Sequence, residues 1–344
     1  MITYTLKVVE IKVETEDAIT VCFKQPALKK LKYDAGQYLS LIFRINGRRY
    51  VRPYSFSSCS LVDNFIEITV KRVPKGIVSN HIIDFVKEGD MIEAMQPMGD
   101  FTYLSNDVSG DIYLWGVGSG ITPLISLAKH ILFSEEKKKV YLMYGNRNKE
   151  STIFLNQIEH LQSKYTNRFE VTHFHTRPTI RLDNPNLIQG RIDEHKVGII
   201  INQNNNIKGS AHYICGPAGL KESVKKVLSE LNVDKENIYS EDFELVRDPK
   251  DFSNIHTQKV KLKFNYKEFD LEVIKGKSIL EAALDANLEL PYSCQTGNCN
   301  TCKAIRLDGD LKMIGLVKER TDLKSDEYLL CCSYPLSGNV CVEI

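Results

Sequence analysis

The sequence has almost no excess of either charge. Its 45 Lys and Arg face 44 Asp and Glu, a net +1, which excludes a broad electrostatic footprint for nucleic acid or an anionic membrane. It also lacks an uncharged run of the ~20 residues that a membrane helix needs. The nearest candidate, 112–128, is interrupted by Gly116, Gly118, Gly120 and Pro123, and reads as a buried strand, a glycine turn and a helix start. The amino terminus alternates like a strand and does not show the basic-then-apolar layout of a secretory signal. There is no internal repeat, and the asparagine-rich run 202–206 reads as a surface loop. No histidine follows His256. Five of the nine cysteines (Cys22, Cys59, Cys215, Cys332, Cys341) stand outside any evident ligand set, which fits a reducing compartment. A soluble, cytoplasmic protein is expected, with no nucleic-acid and no membrane partner.

Against these absences stands one cysteine-dense stretch, Pro291–Lys303. Cys294, Cys299 and Cys302 are spaced C-x4-C-x2-C, and the pair Cys331-Cys332 follows downstream. This is the plant-type spacing of [2Fe–2S] ligands. Gly297 and its small polar neighbours let backbone N–H groups point at sulfur and stabilise negative charge there. Structural zinc is the alternative. Zinc sites usually repeat C-x2-C or mix in histidine, and the asymmetric spacing with no nearby histidine favours iron–sulfur. A [2Fe–2S] cluster carries single electrons, so the rest of the chain should supply them.

The length suggests two or three domains. Residues 1–105 carry short runs of strand pattern: Leu6–Val13, Ile19–Phe23, Tyr38–Ile45, Arg49–Ser55 and Phe65–Val70. Asn46-Gly47 marks a tight hairpin, and strands at this spacing suggest an antiparallel β-barrel. Residues 106–245 alternate strand and helix, which predicts a parallel α/β sheet. Residues 246–256 are polar and aperiodic and read as a linker. From 257 to 344 a hairpin, a helix opened by a Ser278/Glu281 capping box and the cysteine loop follow. This last region is nearly neutral, so tethering would replace charge steering in bringing it to its electron donor.

Several motifs carry chemistry. Arg52-Pro53-Tyr54-Ser55 offers a cation for a pyrophosphate, an aromatic face and a hydroxyl, as a flavin needs. Val70-Lys71 leads to Gly76 and Ser79 at a helix start, an anion pocket for the diphosphate. Gly118, Ser119, Gly120, Thr122 and Pro123 lie in a strand-to-helix turn of the kind that cradles a dinucleotide, although G-x-G-x-x-G is not matched. Arg147 and Ser151, where an adenosine ribose would sit, favour NADPH; Glu150 keeps NADH open. Cys215, Gly216 and Pro217 end a strand. Cys215 either faces a nicotinamide or is an inert buried thiol. Glu241 and Phe243 could complete the flavin site.

In this order the motifs resemble the ferredoxin–NADP reductase superfamily with a fused plant-type ferredoxin domain, and in particular reductase components of oxygenases such as the phenylacetyl-CoA epoxygenase type. The resemblance implies a FAD-binding barrel, an NAD(P)-binding α/β domain and a β-grasp ferredoxin domain. It implies FAD at Arg52, Tyr54, Ser55, Gly76 and Ser79, the nicotinamide coenzyme at 118–123, and Cys215 beside the nicotinamide. Catalytic roles would fall to Ser55, Cys215 and Glu241. Cys294, Cys299 and Cys302 would ligate the cluster with a fourth cysteine. The motif has one cysteine at that place, where this chain has two. Counting back from Pro335 selects Cys331, and strand alternation would turn Cys332 away from the cluster. The acceptor would be a separate protein, an oxygenase component, with a hybrid-cluster, desaturase or ferredoxin-type protein as the alternative.

Overall fold

The computed structural model describes residues 2–26, 30–103, 109–177, 186–202, 207, 209–245, 247–316 and 319–344. They form two compact units: Met1–Leu41 with Tyr54–Glu241, and Ile42–Pro53 with Asp242–Ile344. The boundary expected at 105 and the asparagine run at 203–206 lie outside the described residues.

The chain opens with an antiparallel sheet. Its strands are β1 (Thr3–Thr15), β2 (Ala18–Phe23), β3 (Tyr38–Ile45), β4 (Arg48–Ser55) and β5 (Ile66–Lys71), then, after helix α1 (Ile77–Phe85), β6 (Met91–Met95). The order is β4-β3-β6-β1-β2-β5, and a bridge from Phe56 to Ile68 brings the end of β4 back to β5. Closure explains why every residue of β2 is buried. Irregularities in β1 between Val8 and Glu10 and between Val13 and Thr15 bend the long strand around the barrel. At the β3–β4 turn, Asn46 and Gly47 both take positive φ (51° and 78°), the backbone that a two-residue hairpin demands.

A parallel sheet follows: β7 (Ile112–Val117), α2 (Ile121–Ser134), β8 (Val140–Asn146), α3 (Leu155–Lys164), β9 (Phe169–His175), β10 (Leu187–Gln189), α4 (Glu194–Asn202), β11 (Ala211–Cys215), α5 (Ala218–Glu230) and β12 (Ile238–Glu241). The strand order β10-β9-β8-β7-β11-β12 puts β7 near the centre. Its alternation serves two cores. Ile112 and Leu114 pack with Leu124, Ile131 and Tyr213 on one face, and Tyr113 and Trp115 pack with Met143, Ile214 and Val224 on the other. The uncharged stretch 112–128 is thus a buried strand, a turn and a helix. Among the described residues no helix is long and apolar enough to cross a membrane.

In the second unit, β13 (Gln258–Phe264), β14 (Lys267–Val273), α6 (Ile279–Asp285), β15 (Lys303–Asp308), β16 (Leu311–Met313), β17 (Glu327–Leu329), β18 (Ser333–Pro335) and β19 (Cys341–Glu343) build a five-stranded sheet and a small ladder. The sheet order is β14-β13-β19-β15-β17, with β19 parallel to β13, and α6 packs on β14. The capping box forms: Ser278 Oγ accepts from Glu281 N, and Glu281 Oε2 accepts from Ser278 N at 2.7 Å. Within the stretch expected as a linker, Asp248 caps a 3-10 turn, and Phe252 and Ile255 pack against Ile314 and Tyr334.

Candidate functional site

In the first unit the site begins at the turn between β7 and α2. Gly118 adopts a left-handed φ of +56°. A Cβ on Gly120 would lie 2.1 Å from the Cys215 carbonyl oxygen, so only glycine lets this turn press against the end of β11. Tyr144 donates its hydroxyl to the Gly118 carbonyl at 3.0 Å, and Thr122 Oγ1 donates to the Ser119 carbonyl at 3.0 Å. Pro123 is buried in the first turn of α2, where its missing N–H costs nothing. Lys71, at the end of β5, reaches the same turn. Its Nζ is 3.9 Å from where a Gly118 Cβ would be and 3.6 Å from the Asp17 carboxylate.

Beside the turn, three residues named from sequence meet. Cys215 pairs with Glu241 across β11 and β12, and Ser55 Oγ donates to Glu241 Oε2 at 3.5 Å. Part of Glu241 remains exposed, but its carboxyl is enclosed, and burial pushes its pKa up to about 8 against the lowering effect of the Ser55 bond. Cys215 is 1% exposed; burial, then the Glu241 charge, holds its thiol well above the usual range. The group is therefore a hydroxyl, a carboxyl that keeps its proton near neutral pH and a neutral thiol at the carboxyl ends of parallel strands, where α/β sheets bind ligands. Phe243 is 45% exposed.

The remaining candidates are placed as follows. Ser55 is buried and Tyr54 half-buried at the end of β4. Arg52 Nη1 donates to the Val51 carbonyl at 2.8 Å. Val70 is buried opposite Ile19 as a core residue. Gly76 precedes α1 without a side-chain cap, and a Cβ there would fall 2.7 Å from Ser79 Oγ; Ser79 Oγ accepts from Val73 N at 3.2 Å. Gly216 and Pro217 lead into α5. Ser151 Oγ is engaged in a local turn, accepting from Asn148 N and donating to its carbonyl. Arg147, just past β8, is exposed, and its carbonyl accepts from Arg177 N at 2.7 Å. Arg177 was not legible in the sequence as a site residue, because only the β8–β9 register brings it beside Arg147. Two imidazole nitrogens at this edge, His173 Nδ1 and His175 Nε2, are buried with no hydrogen-bond partner among the described residues.

In the second unit the cysteine loop brings Cys294 near Cys299, and Cys302 near Cys331, which also neighbours Cys332. Thr296 N and Cys299 N donate to Cys294 Sγ at 3.5 and 3.4 Å, and Gly297 N–H is directed at Cys331. Gly297 takes φ +76° to do so. The expectation that Cys332 turns away is corrected. Leu330–Cys332 is a 3-10 turn, not a strand, so consecutive side chains are ~120° apart and not opposed. Cys332 is fully buried, contacts Cys331, donates to the Leu329 carbonyl at 3.4 Å, and lies 3.5 Å from where a Gly297 Cβ would be.

Three family models match the chain in succession: an oxidoreductase FAD-binding domain over residues 5–103, an oxidoreductase NAD-binding domain over 114–226, and a 2Fe-2S iron-sulfur cluster binding domain over 262–336. The chain thus has the three domains of a reductase like ferredoxin–NADP reductase with a fused [2Fe–2S] domain. It is an oxidoreductase whose cofactors are FAD, a nicotinamide coenzyme and a [2Fe–2S] cluster. It is similar to one component of the 1,2-phenylacetyl-CoA epoxidase of Escherichia coli K12, 29% identical over 99% of this chain and 97% of the other. The ferredoxin reductase component of 3-ketosteroid-9-alpha-monooxygenase from Mycolicibacterium smegmatis is also 29% identical, over 97% and 95%. The fold matches that of phthalate dioxygenase reductase at a TM-score of 0.69, 24% identity and 99% and 98% coverage.

The reductase's residues fit these groups. Gly76, packed closely against Val73 and Ser79, opens α1 with no side-chain cap, so the first N–H groups of the helix can meet an anion. Four cysteines of one small domain, Cys294, Cys299, Cys302 and Cys331, supply the donor set that a [2Fe–2S] cluster takes.

Proposed function

We propose that this reductase takes electrons from NADPH and delivers them one at a time to a separate oxygenase component in the cytoplasm. The observation that carries the reading is the succession of FAD-binding, NAD-binding and [2Fe–2S]-binding domains in one chain, the last with Cys294, Cys299, Cys302 and Cys331 near one another. When bound, the flavin exchanges a hydride for single electrons and the cluster relays one electron at a time.

The chain's own residues do the positioning, in three modules at 1–105, 106–245 and 257–344. Arg52 and Lys71 supply cations, Tyr54 a stacking face, and Gly76 with Ser79 the diphosphate cradle. Residues 118–123 and Gly216-Pro217 seat the nicotinamide dinucleotide. Ser55 holds Glu241, which retains a proton near neutral pH and keeps the hydroxyl oriented, and Cys215 presents a neutral thiol to the nicotinamide. Cys294, Cys299, Cys302 and Cys331 are the cluster ligands. Cys331 is favoured over Cys332 because its sulfur receives the Gly297 N–H and contacts Cys302. The choice of NADPH rests on Arg147 and Arg177, two cations joined through their backbones beyond β8 and β9, where a 2′-phosphate would need them. Partnerless nitrogens of His173 and His175 at the same edge support a polar ligand there. The oxygenase acceptor is supported by relatives named as components of an epoxidase and of a monooxygenase.

An anaerobic absorbance titration tests the reading. NADPH at near-stoichiometric amounts should bleach flavin and iron–sulfur bands together. Bleaching by NADH alone would overturn the coenzyme assignment, and an unaltered iron–sulfur band would overturn the relay.

A further inference from the structure

The strongest feature left unused is Arg320. Its side chain is 12% exposed, low for a charge that cannot be neutralised. Its Nη1 donates to the Gly297 carbonyl at 2.5 Å, and its Nη2 donates to Asn300 Oδ1. Nε and Nη2 form a fork on Asp322 at 2.7 and 2.8 Å, and Asn300 Nδ2 reaches the same carboxylate at 3.4 Å. Gly297 lies between Cys294 and Cys299, and Asn300 between Cys299 and Cys302. The guanidinium therefore straddles the loop that carries Cys294, Cys299 and Cys302. Asp322, the counter-charge, is 51% exposed and so better screened by water.

We propose that Arg320 sets the reduction potential of the cluster: its sheltered charge favours the state that has gained an electron, and its guanidinium holds Gly297 and Asn300 in place. The proposal rests on the four-cysteine reading above. Reduction adds one negative charge, supplied from the flavin, and a nearby cation held away from water stabilises that state more than the oxidised one. Arg320 is a positioning residue in this role, acting through the loop and through space.

The test is a redox titration of the full-length, cofactor-loaded protein followed by electron paramagnetic resonance, with Arg320→Gln, Arg320→Lys and Asp322→Asn. Arg320→Gln should lower the midpoint by an amount equivalent to about a tenfold change in electron distribution, ~59 mV for one electron. Arg320→Lys, which keeps the charge and loses the fork, should retain most of the wild-type value. Asp322→Asn should move the midpoint the other way. Equal midpoints for Arg320→Gln and wild type, or equal drops for Gln and Lys, would overturn the proposal. If Arg320→Gln fails to bind iron, Asp322→Asn decides, and an unshifted or lowered midpoint there overturns it. A wild-type chain with no reduced-cluster signal would instead refute the underlying ligand reading.

Discussion

Ser55 Oγ donates to Glu241 Oε2 across 3.5 Å, joining the last residue of β4 to the last residue of β12. Two segments far apart in sequence thus place a hydroxyl and a protonatable carboxyl side by side. Ser55→Ala should slow flavin reduction by NADPH about tenfold to a hundredfold while FAD stays bound, the scale expected when a positioned group is lost. Stopped-flow absorbance measures this, and an unchanged rate would remove Ser55 from the reaction.

Glu241 also makes a stability prediction. Its carboxyl titrates at about 8 in the fold against an ordinary value of 4.5. The unfolded chain therefore ionises first as pH rises, so Glu241's contribution is intact below about 4.5 and is lost as pH climbs toward about 8. Glu241→Gln should gain thermal stability relative to the wild type as pH is raised from about 5 to about 8. A gap that does not vary with pH would mean the native carboxyl is already ionised.

His212 predicts the opposite slope. It is fully buried, accepting the Trp115 Nε1 proton at 3.2 Å and contacting Ser210 Oγ at 2.9 Å. Burial lowers its pKa to about 3. Below an unfolded value near 6.5 the unfolded chain binds a proton that the native chain refuses. Stability is lost as pH falls from 6.5 toward 3, by up to ~1.4 kcal/mol per pH unit. Denaturant unfolding of His212→Asn at about pH 7 and pH 5 should show a flatter dependence than the wild type.

For the coenzyme, Arg147→Ala and Arg177→Ala should each raise KM for NADPH roughly tenfold, the loss of about 1.4 kcal/mol of charge-assisted bonding, and change KM for NADH little. Steady-state kinetics with both coenzymes read the ratio. A parallel rise for both would assign the two arginines to general binding.

The two adjacent cysteines should separate cleanly. Cys332→Ala should retain full iron and an unaltered reduced-cluster spectrum in shape, whereas Cys331→Ala should lose iron or change the spectrum through replacement by Cys332. Iron content and electron paramagnetic resonance distinguish them, and iron loss confined to Cys332→Ala would reverse the assignment.

What the sequence shows and what it hides follow from the range of the interactions. Asn46-Gly47, the Ser278–Glu281 box and the turn at 118–123 are local, and each forms in the structure where its residue types predict. By contrast, Val197–Ile201 on α4 is rich in β-branched residues that periodicity cannot separate from a strand, and β10 and β12, of three and four residues, are too short to show a period. Cys332 misled because alternation presumes a strand, and a single 3-10 turn voids that premise. Arg177 and Arg320 carry no sequence signal. One becomes significant only through the backbone of Arg147, the other only through Gly297 and Asn300.

The most direct test of the account is rapid anaerobic mixing of NADPH with the wild type and with Cys294→Ser, following flavin and iron–sulfur absorbance in time. The account predicts that in the wild type the flavin band falls first and the cluster band follows. In Cys294→Ser the flavin band should fall at a similar rate with no second phase, ferricyanide reduction should persist and cytochrome c reduction should be lost. A cluster band that bleaches before the flavin, or loss of flavin reduction in a folded, FAD-loaded Cys294→Ser chain, would contradict it.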